Sequence, residues 1–125
     1  MSIEKKNILV VDDSEDIRIL LIDLLEGAGA NAVGCEDGNA AISRLDHDHF
    51  DLVVTDILMP NKDGVAVIRN LKEGKNPTPI LAISGGSPRL PSHWMLKITE
   101  TLGVDAVLHK PFEPSEFLAT VSRLV

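Results

Sequence analysis

Cysteine, aromatic residues, basic charge and long apolar runs are all scarce in this chain, and each scarcity excludes a class of protein. The single cysteine, Cys35, cannot close an internal disulfide or build a CxxC metal or redox motif, so a reducing compartment is the natural expectation. Against 19 Asp+Glu stand only 12 Lys+Arg, a formal net charge of −7. Broad attraction to nucleic acid or anionic lipid is therefore disfavoured, and basic or cation-bearing partners are favoured. With neither a basic face nor a helix-turn-helix segment, direct DNA binding is set aside. Residues 1–7 are polar and charged with no long apolar stretch behind them. Neither a signal peptide nor a membrane span can be drawn, and a cytoplasmic location is expected. Aromatics make up only 3% of the residues, but 44% are hydrophobic and 25% charged, the balance of an ordinary globular protein. With 125 residues and no linker, repeat or low-complexity run, one domain over 1–125 with one core is expected.

What is present is a strict alternation of short, Val- and Ile-rich runs with segments of helical periodicity, which implies a parallel sheet. Ile8-Leu9-Val10-Val11 runs into Asp12-Asp13; Ile17, Leu20, Leu21, Leu24 and Leu25 then recur at helical spacing until Gly27 and Gly29. A weak second strand covers 30–35, Gly38 opens a short helix through Ala41 and Leu45, and the third strand, 51–55, ends at Asp56. A helix with Val67, Ile68 and Leu71 precedes the strand Ile80-Leu81-Ala82-Ile83, which stops at Ser84. The glycine- and proline-containing stretch 85–92 reads as a loop, and a fourth helix with Met95, Ile98 and Leu102 is capped by Gly103. Ala106-Val107-Leu108 forms the fifth strand, Lys110-Pro111 follows, and a last helix carries Phe117, Leu118, Val121 and Leu124. The economical architecture is an α/β, flavodoxin-like (βα)5 doubly wound fold with a five-stranded parallel sheet in the order 2-1-3-4-5.

In such a sheet the ligand crevice lies outside the carboxyl ends of the strands, where the strand order reverses. Asp12 and Asp13 then stand beside Asp56, with Ser84 and Lys110 arriving from the fourth and fifth strands. Three carboxylates this close disfavour one another's ionisation, so a cation is expected among them. Mg2+ suits the site: it takes hard oxygen ligands and keeps waters, leaving room for a phosphoryl oxygen. The three carboxylates, one divalent ion and Lys110 together sum to neutrality, so the site can accept further negative charge in a transition state. A carboxylate beside a magnesium ion, a hydroxyl and a lysine is an arrangement for phosphoryl transfer to carboxylate, with Asp56 as central acceptor.

In Val11-Asp12-Asp13, Asp56-Ile57-Leu58-Met59-Pro60 with Asp63-Gly64, Ser84, and Lys110-Pro111-Phe112, the sequence resembles the receiver domains of two-component response regulators over nearly its whole length. Each motif alone is weak; their order and spacing make the signal specific. The resemblance implies that Asp56 takes a phosphoryl group from a sensor histidine kinase or a histidine phosphotransfer protein. It implies that Asp13 binds Mg2+ directly, Asp12 mainly through water, and the backbone carbonyl of Leu58 supplies another ligand. It also implies that Lys110 pairs first with Asp56 and then with the phosphoryl group, that Ser84 moves to bond a phosphoryl oxygen, and that the Lys110–Pro111 peptide is cis. A downstream protein would read the change on the face made by the fourth helix, fifth strand and fifth helix. The protein would then be a stand-alone phosphorylation-controlled switch or relay rather than an enzyme.

Blander roles exist for each residue. Asp12, Asp13, Glu15 and Asp16 taken alone read as helix-capping acids. Ser84 alone reads as a turn residue and Lys110 as a solvated charge; Cys35 reads as buried packing, and His47 and His49 as a solvated face. The chain also departs from the family pattern. Val107 occupies the position, three before the lysine, where many receivers carry an aromatic ring, with His109 as a possible substitute, and the stretch from Ser84 to Lys110 is a few residues long. The expectation is that the 85–92 loop and the start of the fourth helix, including Trp94, carry the signal instead. Neither Leu58 nor Gly86 offers a polar side chain to orient an attacking water, so self-dephosphorylation should be slow. Leu58 also stands where a haloacid-dehalogenase-type phosphatase needs its second acid. The alternative reading is a pseudo-receiver, an interaction module that never takes phosphate; the presence of all five site groups argues against it.

Overall fold

The computed structural model describes residues 2–57, 63–74, 78–84 and 100–125. The elements are β1 (Asn7–Val11), α1 (Glu15–Gly27), β2 (Asn31–Cys35), α2 (Gly38–His47), β3 (Leu52–Asp56), α3 (Asp63–Glu73), β4 (Ile80–Ser84), a helical segment α4 described over 100–102, β5 (Ala106–His109) and α5 (Pro114–Leu124). All four strand pairings are parallel and the order is β2-β1-β3-β4-β5, as the alternation of elements predicts.

The central strands β1, β3 and β4 are buried on both sides because both faces of the sheet are covered, while the edge strands β2 and β5 are partly exposed. Leu9, Val11, Val53 and Ala82 join Ala41 of α2 and Val67, Ile68 and Leu71 of α3 in one core layer. Ile8, Val10, Leu52, Val54, Leu81 and Ile83 join Leu21 and Leu25 of α1 and Phe117 and Val121 of α5 in the other. Period-two alternation along each strand sends neighbouring residues to opposite layers. Cys35 belongs to the first layer, 6% exposed, and burial pushes its thiol pKa up. Among the described residues, no helix is long and apolar enough to cross a membrane.

Local chemistry sets the helix ends. Ser14, not an aspartate, is the N-cap of α1: its Oγ accepts from the Ile17 amide at 3.4 Å, with Glu15 and Asp16 in the first turn. The capping expectation for Asp12 and Asp13 is thereby corrected, because both precede the cap and Asp12 is drawn into the sheet crevice instead. Asp37 caps α2 through the Ala40 amide at 2.8 Å. At the other end of α1, Gly27 is the last helical residue, and it is Gly29, at φ 95°, that takes the left-handed turn. A Cβ there would also come within 3.1 Å of the Glu4 side chain.

Register aligns the ends of the strands. Val11 pairs with Cys35 on one side and Thr55 on the other, Asp56 pairs with Ile83, and Ser84 with His109. The residues that end or follow β1, β3, β4 and β5 therefore emerge on one rim.

Candidate functional site

Asp12 leaves β1 at this rim with every hydrogen-bonding group engaged. Its amide donates to the Cys35 carbonyl at 3.1 Å, Oδ1 accepts from the Ser14 amide at 2.9 Å, and Oδ2 lies 3.4 Å from the Lys110 ammonium. The Asp12 carbonyl accepts from Nη1 of Arg18 at 2.8 Å. The residue is 1% exposed, and burial raises its pKa; the Ser14 amide and the Lys110 charge oppose that rise, and the Asp56 carboxylate adds to it.

Asp56 ends β3, 6% exposed, its Oδ2 also 3.4 Å from Lys110 Nζ. At 3.4 Å both contacts are charge pairs longer than a tight ammonium–carboxylate hydrogen bond, so one lysine is shared between two acids. Asp13 is exposed at the mouth. One carboxylate oxygen from each of Asp12, Asp13 and Asp56 lies within 4.8 Å of the others, an all-oxygen set matched to a hard cation that keeps some of its waters. The site thus gathers three acids around a single described lysine, and a divalent ion fits this charge imbalance as well as the donor type.

Ser84 ends β4, 3% exposed, and its carbonyl accepts from the Lys110 amide at 2.8 Å, which ties the fourth and fifth strand ends together. The Lys110–Pro111 peptide is cis, as the resemblance implies. Four of the expected side chains, from Asp12, Asp13, Asp56 and Lys110, are therefore brought together, with Ser84 on the neighbouring strand end. The Leu58 carbonyl, the 85–92 loop and Trp94 lie outside the described residues.

The family model of the response regulator receiver domain matches residues 8–122. The chain belongs to the response regulator receiver family. The alkaline phosphatase synthesis transcriptional regulatory protein PhoP of Bacillus subtilis is 34% identical to this receiver over 120 residues, covering 96% of the chain and 48% of PhoP. The probable transcriptional regulator ycf27 of Cyanophora paradoxa is 37% identical over 127 residues, covering all of the chain and 50% of its own length. The receiver thus spans about half the length of the curated relatives it matches. Among solved structures, the chemotaxis response regulator CheY4 of Vibrio cholerae superposes with a TM-score of 0.84 at 26% identity, over 97% of this chain and 99% of that one. The BeF3-activated DrrB receiver domain gives 0.81 at 28% identity, over 96% and 97%. Receiver domains are signalling switches of two-component systems, and the family typically binds Mg2+ at an acidic pocket of this kind.

Val107 of the receiver is half-buried against the first core layer, and His109 is exposed at the end of β5. His47 and His49 are exposed, His47 Nδ1 lying 2.8 Å from the Ser43 carbonyl and His49 3.7 Å from Asp51, as a solvated face predicts. Ser14 and Arg18 were not legible as site residues. The one available signal was Ser14 followed at helical spacing by Arg18, with Gly34 inside a strand where a larger residue is normal.

Proposed function

We propose that the chain, over 1–125, works as one cytoplasmic receiver unit in which Asp56 accepts a phosphoryl group from a phosphohistidine on a sensor kinase or phosphotransfer protein. The observation that carries this reading is the Asp56 carboxylate at the end of β3, buried yet beside the Lys110 ammonium at 3.4 Å and clustered with the carboxylates of Asp12 and Asp13.

In the step, an Asp56 oxygen forms a bond to phosphorus as the P–N bond to the donor imidazole breaks, and the electron pair leaves with the imidazole nitrogen. Lys110 offsets the negative charge on the transferred group, and its release from Asp12 or Asp56 frees the ammonium for a phosphoryl oxygen. Mg2+ would be held by Asp13 and Asp56, by the Leu58 carbonyl, and by Asp12 mainly through water, which agrees with both Asp12 oxygens already being engaged. When bound it supplies charge neutralisation for the phosphoryl oxygens. The Ser84 hydroxyl, one strand away, is the group that would follow the phosphoryl oxygens and pull on the segment after β4. The protein that reads this change docks on the α4–β5–α5 face.

The test is intact mass after incubation with acetyl phosphate, with and without Mg2+, for the wild type and Asp56→Asn. One magnesium-dependent phosphoryl adduct, absent in the variant, is expected. No adduct under any condition turns the reading to a pseudo-receiver that binds partners unmodified.

A further inference from the structure

We infer that Arg18 is a positioning residue for the acidic site, acting through the Asp12 backbone, and that Gly34 is the notch that lets it do so. The inference rests on the reading of Asp12, Asp13 and Asp56 as a cation-binding phosphoacceptor site.

Arg18 lies on α1, four residues after the Ser14 cap and half-buried. Its guanidinium reaches back past the start of the helix to donate to the Asp12 carbonyl at 2.8 Å. The path is set by β2. A Cβ at Gly34 would stand 3.0 Å from Arg18 Cδ, 3.1 Å from Cγ and 2.8 Å from Ile22 Cδ1. The aliphatic stem of Arg18 thus lies on the bare backbone of Gly34, which pairs with Val10 in the neighbouring strand. A methyl there would press on the stem and force Ile22 Cδ1 to shift.

The peptide leaving Asp12 leads directly into Asp13. The Cys35 carbonyl holds the Asp12 amide at 3.1 Å, and Arg18 holds the carbonyl on the other side of the residue. Two anchors on one residue fix its backbone orientation. Asp13 is exposed, and its carboxylate reaches within 4.8 Å of those of Asp12 and Asp56 from a turn rather than from the sheet. Without the guanidinium the turn keeps its cap at Ser14 and the bond from the Ser14 amide to Asp12 Oδ1, but the peptide that aims Asp13 loses the hydrogen bond on its carbonyl. Like-charge repulsion among the three acids then has a softer backbone to push against. Groups that orient metal ligands typically matter by about 10-fold or more in affinity when removed.

The experiment uses three variants: Arg18→Met, which keeps the stem and removes the donors; Arg18→Lys, which restores one donor; and Gly34→Ala, which keeps the arginine and fills the notch. Two quantities are read, the Mg2+ dissociation constant by calorimetry and, in metal-free protein, the exchange rate of the Ser14 amide, which donates to Asp12 Oδ1. Arg18→Met and Gly34→Ala should each weaken Mg2+ binding by about 10-fold and speed exchange at Ser14. Arg18→Lys should recover most of both, and combining Arg18→Met with Gly34→Ala should weaken binding no further than either alone. Wild-type Mg2+ affinity and exchange in Arg18→Met would overturn the inference, and so would Arg18→Lys behaving like Arg18→Met, which marks a merely structural role. Absence of Mg2+ binding by the wild type would instead overturn the site reading, and the exchange rates would then decide the clamp by themselves.

Discussion

Replacing Asp12 by Asn should stabilise the metal-free protein and at the same time weaken its response to Mg2+. At an effective dielectric of about 20, the repulsion between the Asp12 and Asp56 carboxylates, whose facing oxygens lie within 4.8 Å, is at least about 3.5 kcal/mol. The attraction of Asp12 to Lys110 at 3.4 Å is about 5 kcal/mol on the same scale. Asp13 adds a further, solvent-screened repulsion, so the pair interactions nearly cancel and burial of the Asp12 charge decides the sign. Its raised pKa has the same meaning. Stability associated with an acid whose folded pKa lies above its unfolded value is present at low pH and lost as pH rises through the folded pKa, so at neutral pH the Asp12 charge works against folding. An asparagine keeps an Oδ1 acceptor for the Ser14 amide and removes the charge. The expected gain is about 1–2 kcal/mol, or roughly 4–8 °C in Tm for a domain of this size. Adding Mg2+ at ten times its Kd should stabilise the wild type by about 1.4 kcal/mol and raise Tm by roughly 5 °C, and Asp12→Asn by less. Differential scanning fluorimetry in EDTA and in Mg2+ measures both. A lower Tm for Asp12→Asn in EDTA, or an undiminished Mg2+ shift, would show that the buried Asp12 charge is not the source of this balance.

Lys110→Met should destabilise the protein by about 1–3 kcal/mol in urea denaturation, because it leaves the buried Asp12 and Asp56 without their shared counter-charge. Gly29→Ala should lose about 1–2 kcal/mol, since φ 95° is strained for any residue with a Cβ and the added methyl meets Glu4. Cys35 should resist alkylation in the native state at neutral pH. Its pKa, raised by burial above the usual 9.0, should make wild-type stability fall as pH climbs past about 9. A Cys35→Ala variant would lack that component of the pH slope. Phosphorylated Asp56 should be long-lived, and Leu58→Asn should shorten its lifetime in a radiolabel-loss assay by supplying a side chain that can orient water.

The elements and the acids are legible in the amino-acid sequence alone. Runs such as Leu52-Val53-Val54 and the helical spacing of Leu21 and Leu25 are local patterns, and each reports a buried strand or an amphipathic helix wherever it lies. Because a parallel sheet gathers the carboxyl ends of its strands on one side, Asp12, Asp56, Ser84 and Lys110 could be assigned to one rim before any coordinates. Boundaries shifted by a residue or so: β2 begins at Asn31 rather than residue 30, and Asp56 is itself the last residue of β3. Which side chains touch is a property of the assembled fold. Lys110 is shared between Asp12 and Asp56 because β1, β3 and β4 are adjacent and β5 follows in register with β4. Ser14 rather than an aspartate caps α1 because Asp12 is already committed to the crevice. Arg18 reaches the Asp12 carbonyl with its stem lying against Gly34 of β2, a contact between elements far apart in the sequence. Periodicity encodes which face of an element is apolar, but the partner of a carbonyl or an ammonium depends on which strand lies alongside and in what register, and that is a property of the assembled sheet.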